Sequence, residues 1–330
     1  MIKNHADDKS NNETCNILVF FIASITVFSQ QQQYEKFYLF NNYNIRNGLI
    51  NNVVYSIGQD GQGFMWLSSD LGLTRFDGKN FFHKTIPEIY EIPTAVHNIE
   101  TTNKGNITFT SMHGAFEQLD DGSFKKYYLG SDVNNNSIYT VKQDTNGELL
   151  MASRRSLLKV TGDSLELLYD CGMERSVFFT VAIDKNNTIW FGGIDGLGLM
   201  EQDGHELKPF YLPELKDQFI VRILFDKKGV LHVGTASGYY RIEFEETYMS
   251  GKKYKVYKPF EEINTLFINY LYLDHDENLW LATSSDGVYR TDEDKITLRL
   301  DTDNGLISSS VFCVYQDHEG NYWFGTNNGL

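Results

Sequence analysis

Apolar positions recur along this chain in a fixed phase relative to an aspartate. The aspartates are Asp60, Asp144, Asp184, Asp226, Asp274 and Asp317, with Thr102 in the same place in one copy. Three residues before each stand Ile57, Ile99, Val141, Val181, Ile223, Leu271 and Val314. Six residues before stand Val54, Val96, Ile138, Phe178, Ile220, Ile268 and Val311. All of these are apolar and most are β-branched, which predicts a short strand ahead of every aspartate. Strict in–out alternation is weak, as expected of a sheet packed on both faces. The residues that follow predict a tight hairpin turn. Asp60, Asp144, Asp226 and Asp317 each have Gly three residues on, and Asp184 has Asn187. An aspartate side chain bonds the backbone two residues ahead, and glycine takes a positive φ without steric cost. A second apolar run then carries Trp66, Thr108, Leu150, Trp190, His232, Trp280 and Trp323 at one repeated position, with steps of 42, 42, 40, 42, 48 and 43 residues. Strands and glycine turns with a period in the forties are the signature of propeller blades.

Third strands are expected near Leu73–Phe76 and its equivalents, and fourth strands near Asn80–His83, Phe124–Tyr128, Leu207–Tyr211 and Tyr254–Tyr257. Tyr34–Phe40 has the look of a fourth strand with no first three before it. The expectation is therefore an all-β, seven-bladed β-propeller of four-stranded antiparallel blades. Its last blade would be completed by the N-terminal strand, residues 34–40 pairing beside 310–326, because ring closure removes bare sheet edges. Residues 30–46 would hold this closing strand and its lead-in. Residues 47–330 would hold seven repeats, the seventh incomplete, as if the chain were cut from a longer protein. Asn16–Phe28 is an apolar run too short to span a bilayer comfortably. With Val27-Phe28-Ser29 offering a cleavage site, residues 1–29 read as a signal peptide.

The tally of 29 Lys+Arg against 44 Asp+Glu gives a net charge of −15. That balance argues against binding nucleic acid, which needs clustered cations. Past residue 29 only Cys171 and Cys313 remain, in different repeats, and they read as separate thiols and not as a disulfide. The 8 His residues show no metal-ligand spacing, and the sequence has no Gly-x-Ser-x-Gly, phosphate loop or paired-Cys motif. No catalytic residue, metal site or cofactor is expected. Recurrence of Trp66, Trp190, Trp280 and Trp323 at one position, flanked by Leu or Phe, points to inter-blade packing over a sugar-stacking platform.

The turn after the Trp strand opens on the face where each blade is entered, and the copies diverge there. Its members include Asp70, His113, Arg154, Arg155 and Asp195. Adjacent arginines stand out in an acidic chain, and arginine holds a carboxylate or sulfate bidentately. A ligand site is expected on this face, centred on Arg154, Arg155 and His113 with Asp195 and Asp70, for an anionic or polyhydroxylated molecule. Ordinary surface ion pairing is the alternative for each of these residues.

The run Asn47-Gly48-Leu49-Ile50-Asn51-Asn52-Val53, followed by Asp60 to Leu67 and by Gly72 to Gly78, resembles the two-component regulator propeller repeat. Asn304-Gly305-Leu306 with Trp323-Phe324-Gly325-Thr326 and Asn328-Gly329-Leu330 resembles it again, and the likeness extends over roughly 34–330. The second and third copies lack the Trp. This resemblance implies the periplasmic sensor region of a Bacteroidetes-type, often hybrid, sensor histidine kinase anchored in the inner membrane. It also implies a glycan-derived oligosaccharide as ligand and a kinase outside these residues. The rest of a membrane-spanning sensor would be the partner, with homodimerisation open. The alternatives are a protein-interaction scaffold, a propeller glycosidase or lyase, and the sensor of a helix-turn-helix or diguanylate cyclase regulator. Fold alone does not choose among them.

Overall fold

Four of the seven repeats are locked at the first turn by a buried carboxylate, Asp60, Asp184, Asp274 or Asp317. Asp60 is only 4% exposed. Its Oδ1 accepts the backbone N–H groups of Gln62 and Phe64 at 3.0 and 2.9 Å, and its Oδ2 accepts Trp66 Nε1 at 2.7 Å. The indoles of Trp190, Trp280 and Trp323 donate in the same way to Asp184, Asp274 and Asp317, at 3.4, 2.9 and 2.7 Å. In the fifth copy His232 Nε2 takes the indole's place, 3.4 Å from Asp226 Oδ2. Thr102 keeps part of the pattern, its Oγ1 accepting Asn106 N–H at 3.2 Å. A buried carboxylate with this many donors is a satisfied group, and it fixes where the chain reverses.

This computed structural model describes residues 38–84, 95–127, 137–162, 164–172, 177–203, 206–245, 254–293 and 295–330. The expected signal peptide, residues 30–33, and residues 34–37 of the expected closing strand lie outside the described residues. One unit begins at Leu39 and runs to Leu330. Six sheets have four antiparallel strands each, in sequence order, and they occupy 56–84, 96–127, 138–170, 178–216, 220–257 and 268–300. The seventh repeat forms a sheet of two strands, Val311–Gln316 and Tyr322–Thr326.

The expected seven four-stranded blades are corrected accordingly: among the described residues six sheets have four strands and the seventh repeat supplies two. Residues 327–330, after its second strand, carry no strand. Of the expected N-terminal strand only residues 38–40 are described, and they carry no strand. Tyr43 and Leu330 exchange two backbone hydrogen bonds of 2.9 Å, and the Phe40 ring lies 6.4 Å from that of Phe324.

First strands of successive sheets pack on one another, and Val311–Gln316 packs on Ser56–Gln59, which closes the ring. Val54 N–H donates to Thr326 O at 3.0 Å and His318 N–H to Gln59 Oε1 at 2.7 Å across that seam. Two turns, Ile45–Asn47 and Thr302–Asn304, carry the repeated Asn-Gly-Leu run, with Gly48 and Gly305 at φ of 107° and 119°. A Cβ at Gly305 would collide with the Phe40 ring. The buried Leu49 and Leu306 then anchor the entry to the first and seventh sheets.

The core lies between sheets. Trp66 packs against Ile99, Phe109 and Phe116 of the second sheet, and Trp190 against Ile220, Leu231 and Ile242 of the fifth. Trp280 packs against Leu306, Val311 and Phe324. These three indoles are at most 2% exposed, whereas Trp323 is half-buried against Tyr43 and Phe76. Cys171 and Cys313 are not bonded to one another.

A Trp280→Ala substitution is expected to cost about 3–5 kcal/mol by leaving a cavity. Trp280→Phe fills most of that space but removes a donor from Asp274, and about 1–3 kcal/mol is expected. Urea unfolding checks both. A Phe variant as stable as the native chain would mean that the indole bond contributes nothing.

Candidate functional site

The first strand of a sheet lines the central channel, and a recurring irregularity decides which side chains enter it. Register slips by one residue between Val96 and Asn98, Phe178 and Thr180, Ile220 and Arg222, Ile268 and Tyr270, and Val311 and Cys313. The third sheet slips between Ile138 and Thr140. The extra residues are His97, Phe179, Val221, Asn269, Phe312 and Tyr139. Such a bulge leaves one residue outside the ladder and re-aims its side chain. In every case it falls five positions before the turn aspartate, or before Thr102. Tyr55 holds that position in the first copy.

Half-buried aromatic rings at these positions, joined by Phe219 and Phe267 just before two of the strands, form a collar at the channel mouth. His97 lies 5.8 Å from Tyr139, Tyr139 5.3 Å from Phe179, Phe179 5.1 Å from Phe219 and Phe219 6.1 Å from Phe267, centroid to centroid. Phe312 meets Tyr55 at 5.3 Å. Tyr55 Oη donates to Asp70 Oδ1 at 2.9 Å, and Asn269 Nδ2 donates to Val311 O at 2.7 Å.

Inside the collar is a cavity of about 250 Å³, lined by Tyr55, Asp70, Ala95, His97, Asn98, Arg222, Asn269, Tyr270 and Phe312. It is smaller than a typical pocket for a drug-sized ligand, roughly 300–1,000 Å³, and has room for about one ring. A second cavity of about 270 Å³ lies beyond it, lined by residues that include Glu100, Lys142, Leu224, Tyr272 and Tyr315. Arg222 and Tyr270 line both. The Arg222 guanidinium is stacked 4.4 Å over the Tyr270 ring, and its Nη2 lies 3.2 Å from the Asn98 amide, whose oxygen is assigned towards it. Asn98 belongs to the second sheet and Arg222 to the fifth, so this side chain crosses the channel at its waist.

Burial pushes the His97 imidazole below its ordinary value, and the nearby Asp70 charge opposes the shift without cancelling it. Its Nε2 is buried with no hydrogen-bond partner among the described residues. Burial and the bond to Asp70 push Tyr55 up to about 12, so it stays a donor. The cavity thus offers aromatic faces, one carboxylate, one neutral imidazole, amide groups and one guanidinium. Among the described residues no cluster of His, Cys, Asp or Glu could hold a metal ion.

Of the expected ligand residues, Asp70 alone lines the cavity. His113, Arg154, Arg155 and Asp195 sit in equivalent turns on the same face, outside the collar. His113 is half-buried, its backbone N–H donating to Ser111 Oγ at 3.0 Å. Burial, then the Lys126 charge, push its imidazole down. Arg154 is exposed, and its N–H bonds Ser137 O at 3.3 Å. Arg155 O accepts Cys171 N–H at 3.0 Å and Asp195 O accepts Asp217 N–H at 2.9 Å. Tyr55, His97, Asn98, Arg222, Asn269, Tyr270 and Phe312 were not singled out by the sequence. The signal was present: alignment on the turn aspartate puts Tyr55, His97, Tyr139, Phe179 and Phe312 in one column, and the next column holds Arg222 and Tyr270 among Ser56, Thr140 and Thr180.

The two-component regulator propeller family model matches residues 48–70 and 305–328, the two repeats that meet at the ring seam. Among solved structures, the chain is similar to the extracellular domains of two hybrid two-component systems from B. thetaiotaomicron. TM-scores are 0.71 and 0.68 at 20% and 18% identity, over 88% of this chain. It spans about two-fifths of their length, 41% and 39%. Virginiamycin B lyase from Staphylococcus aureus is similar too, with a TM-score of 0.68, 15% identity and coverage of 88% of this chain and 96% of the lyase. At these identities the likeness is one of fold. Comparison with curated proteins returns no match.

Because His97 is easier to protonate in the unfolded chain, it lowers stability as pH falls below about 6.5 and has no such effect above it. NMR titration should find its midpoint below that value. Asp70→Asn, which removes the opposing charge, should lower it further. A midpoint that rises in the variant would contradict the geometry.

Proposed function

We propose that this chain, built of two-component regulator propeller repeats, is the ligand-binding part of a periplasmic sensor. It takes a glycan-derived oligosaccharide by one ring in the central cavity, and occupancy is relayed to a histidine kinase outside these residues. The observation that carries this reading is the aromatic collar around a cavity one ring wide. Aromatic faces stack on the apolar C–H face of a pyranose, while a few fixed polar groups orient its hydroxyls. His113, Arg154, Arg155 and Asp195 would meet further sugars of the chain on the surrounding face. The signal peptide expected at 1–29 and the extracellular neighbours support export. Among the described residues no helix is long and apolar enough to cross a membrane. In this reading the anchor, the output domain and any dimer contact belong to the remainder of an inner-membrane protein.

An enzyme would use the same cavity. Glycoside hydrolysis needs a pair of carboxylates, and the lining supplies only Asp70. An eliminating enzyme needs a base, and the neutral His97 beside Tyr55 could serve. Binding and turnover are separable by experiment.

Calorimetry against a panel of plant and animal oligosaccharides is expected to find a ligand that is recovered unchanged after prolonged incubation. A Tyr55→Ala, Phe312→Ala double variant should weaken it by about tenfold or more, since a buried aromatic anchor contributes over 1 kcal/mol on truncation. The Arg154→Ala, Arg155→Ala pair should weaken it by about threefold, in line with exposed charges. Cleaved product would favour the enzyme. Binding unaffected by the collar variant would remove the cavity from consideration.

A further inference from the structure

Arg222 is a cation enclosed in the channel whose contacts are neutral. Its guanidinium meets the Asn98 amide and the Tyr270 ring, and no carboxylate is ion-paired with it among the described residues. In a chain with a net charge of −15 this is unexpected, since acids outnumber bases. Glu100, which lines the cavity beyond the waist, is already engaged by Lys142 at 2.6 Å. Arg222 is half-buried; a guanidinium partly removed from water without a counter-charge is left unsatisfied, and its planar fork is shaped for two carboxylate oxygens. Above it is the cavity that the collar opens to the outside.

We propose that Arg222 reads a carboxylate: the ring seated in the central cavity is that of a uronic acid or another acidic sugar, with its acid group on the guanidinium. This inference rests on the saccharide-sensing reading above. Polarity along the channel sets the orientation. Asp70 is at the mouth, bonded to Tyr55, and repels an anionic group held there. Arg222 is at the floor and attracts it. The acid end goes in first, and hydroxyls are left for His97 Nε2 and Asp70. A single cation suits a monoanionic carboxylate. Arg222 becomes the residue that separates acidic from neutral sugars, a role that Arg154 and Arg155 cannot fill from outside the collar.

The test uses disaccharides of galacturonate, glucuronate and mannuronate, the methyl ester of each, the neutral parent sugars and a sulfated galactose disaccharide. Esterification removes the charge and keeps the ring. The native chain should bind at least one uronate about 30-fold or more tighter than its ester, the scale expected of a buried charge pair. Arg222→Gln should bring acid and ester within about threefold of each other, and Arg222→Lys should fall between. Equal affinity of the native chain for acid and ester, or preference for neutral or sulfated sugars, would overturn the inference and leave the sensing reading standing. A chain that binds no saccharide at all would sink both. The ester contrast is made on the native protein, so it decides even if Arg222→Gln unfolds; the Lys variant then reports the position.

Discussion

A buried carboxylate at the first turn, present in four of the seven repeats, is the constraint on which the rest depends. Asp60, Asp184, Asp274 and Asp317 each accept backbone N–H groups of their own turn and the indole of the next strand. That set of bonds ties the reversal point to the second strand, and so fixes the phase of both strands against each other. For Asp274 and Asp317, burial pushes the carboxyl up, but the indole and amide donors outweigh it and hold each below the usual range. The group is ionised at neutral pH because the turn is built around its charge. Where the aspartate is replaced by Thr102, or the indole by His232, part of the lock is retained with other atoms.

Phase is what carries structure into function. With the turn fixed, the bulge five residues earlier falls at the same height in successive sheets, and the side chain it displaces points into the channel. Repetition then makes a ring from residues that are more than 200 positions apart, such as Tyr55 and Phe312. The scaffold is regular because the lock repeats, and the site is particular because the displaced residues differ. Val221 and Asn269 break the aromatic run, and Arg222 and Tyr270, one residue on, fill the waist.

Strands and turns were legible in the sequence because their cause is local: β-branched residues three and six before an aspartate, and a glycine three after. The tally of seven four-stranded blades did not hold, because counting turns counts hairpins and not strands in a sheet. The seventh repeat, read as incomplete from the sequence, has its Asp317, Trp323 and hairpin, and among the described residues its sheet has two strands. Most of the expected closing segment lies outside the described residues; within them, Tyr43 and Phe40 meet the last sheet without forming a strand. The site was sought in the divergent turns, where only Asp70 lines the cavity. Bulges leave no composition signal in a single repeat, and Arg222 reads as an ordinary strand residue until the second and fifth sheets are set across the channel.

Placement of one cation inside an acidic shell has a consequence for selectivity. The field of a net −15 charge opposes the approach of any anion, but salt screens it beyond about 8 Å at physiological ionic strength. Within the collar the local groups decide. A small inorganic anion would meet Asp70 at the mouth and gain nothing from the aromatic rings. A neutral sugar would gain the rings and leave Arg222 with its neutral partners. Only a molecule with both a ring face and an acid group at its end satisfies the collar and the waist together. Discrimination of this kind arises as much from what each competitor leaves unsatisfied as from what the right ligand gains.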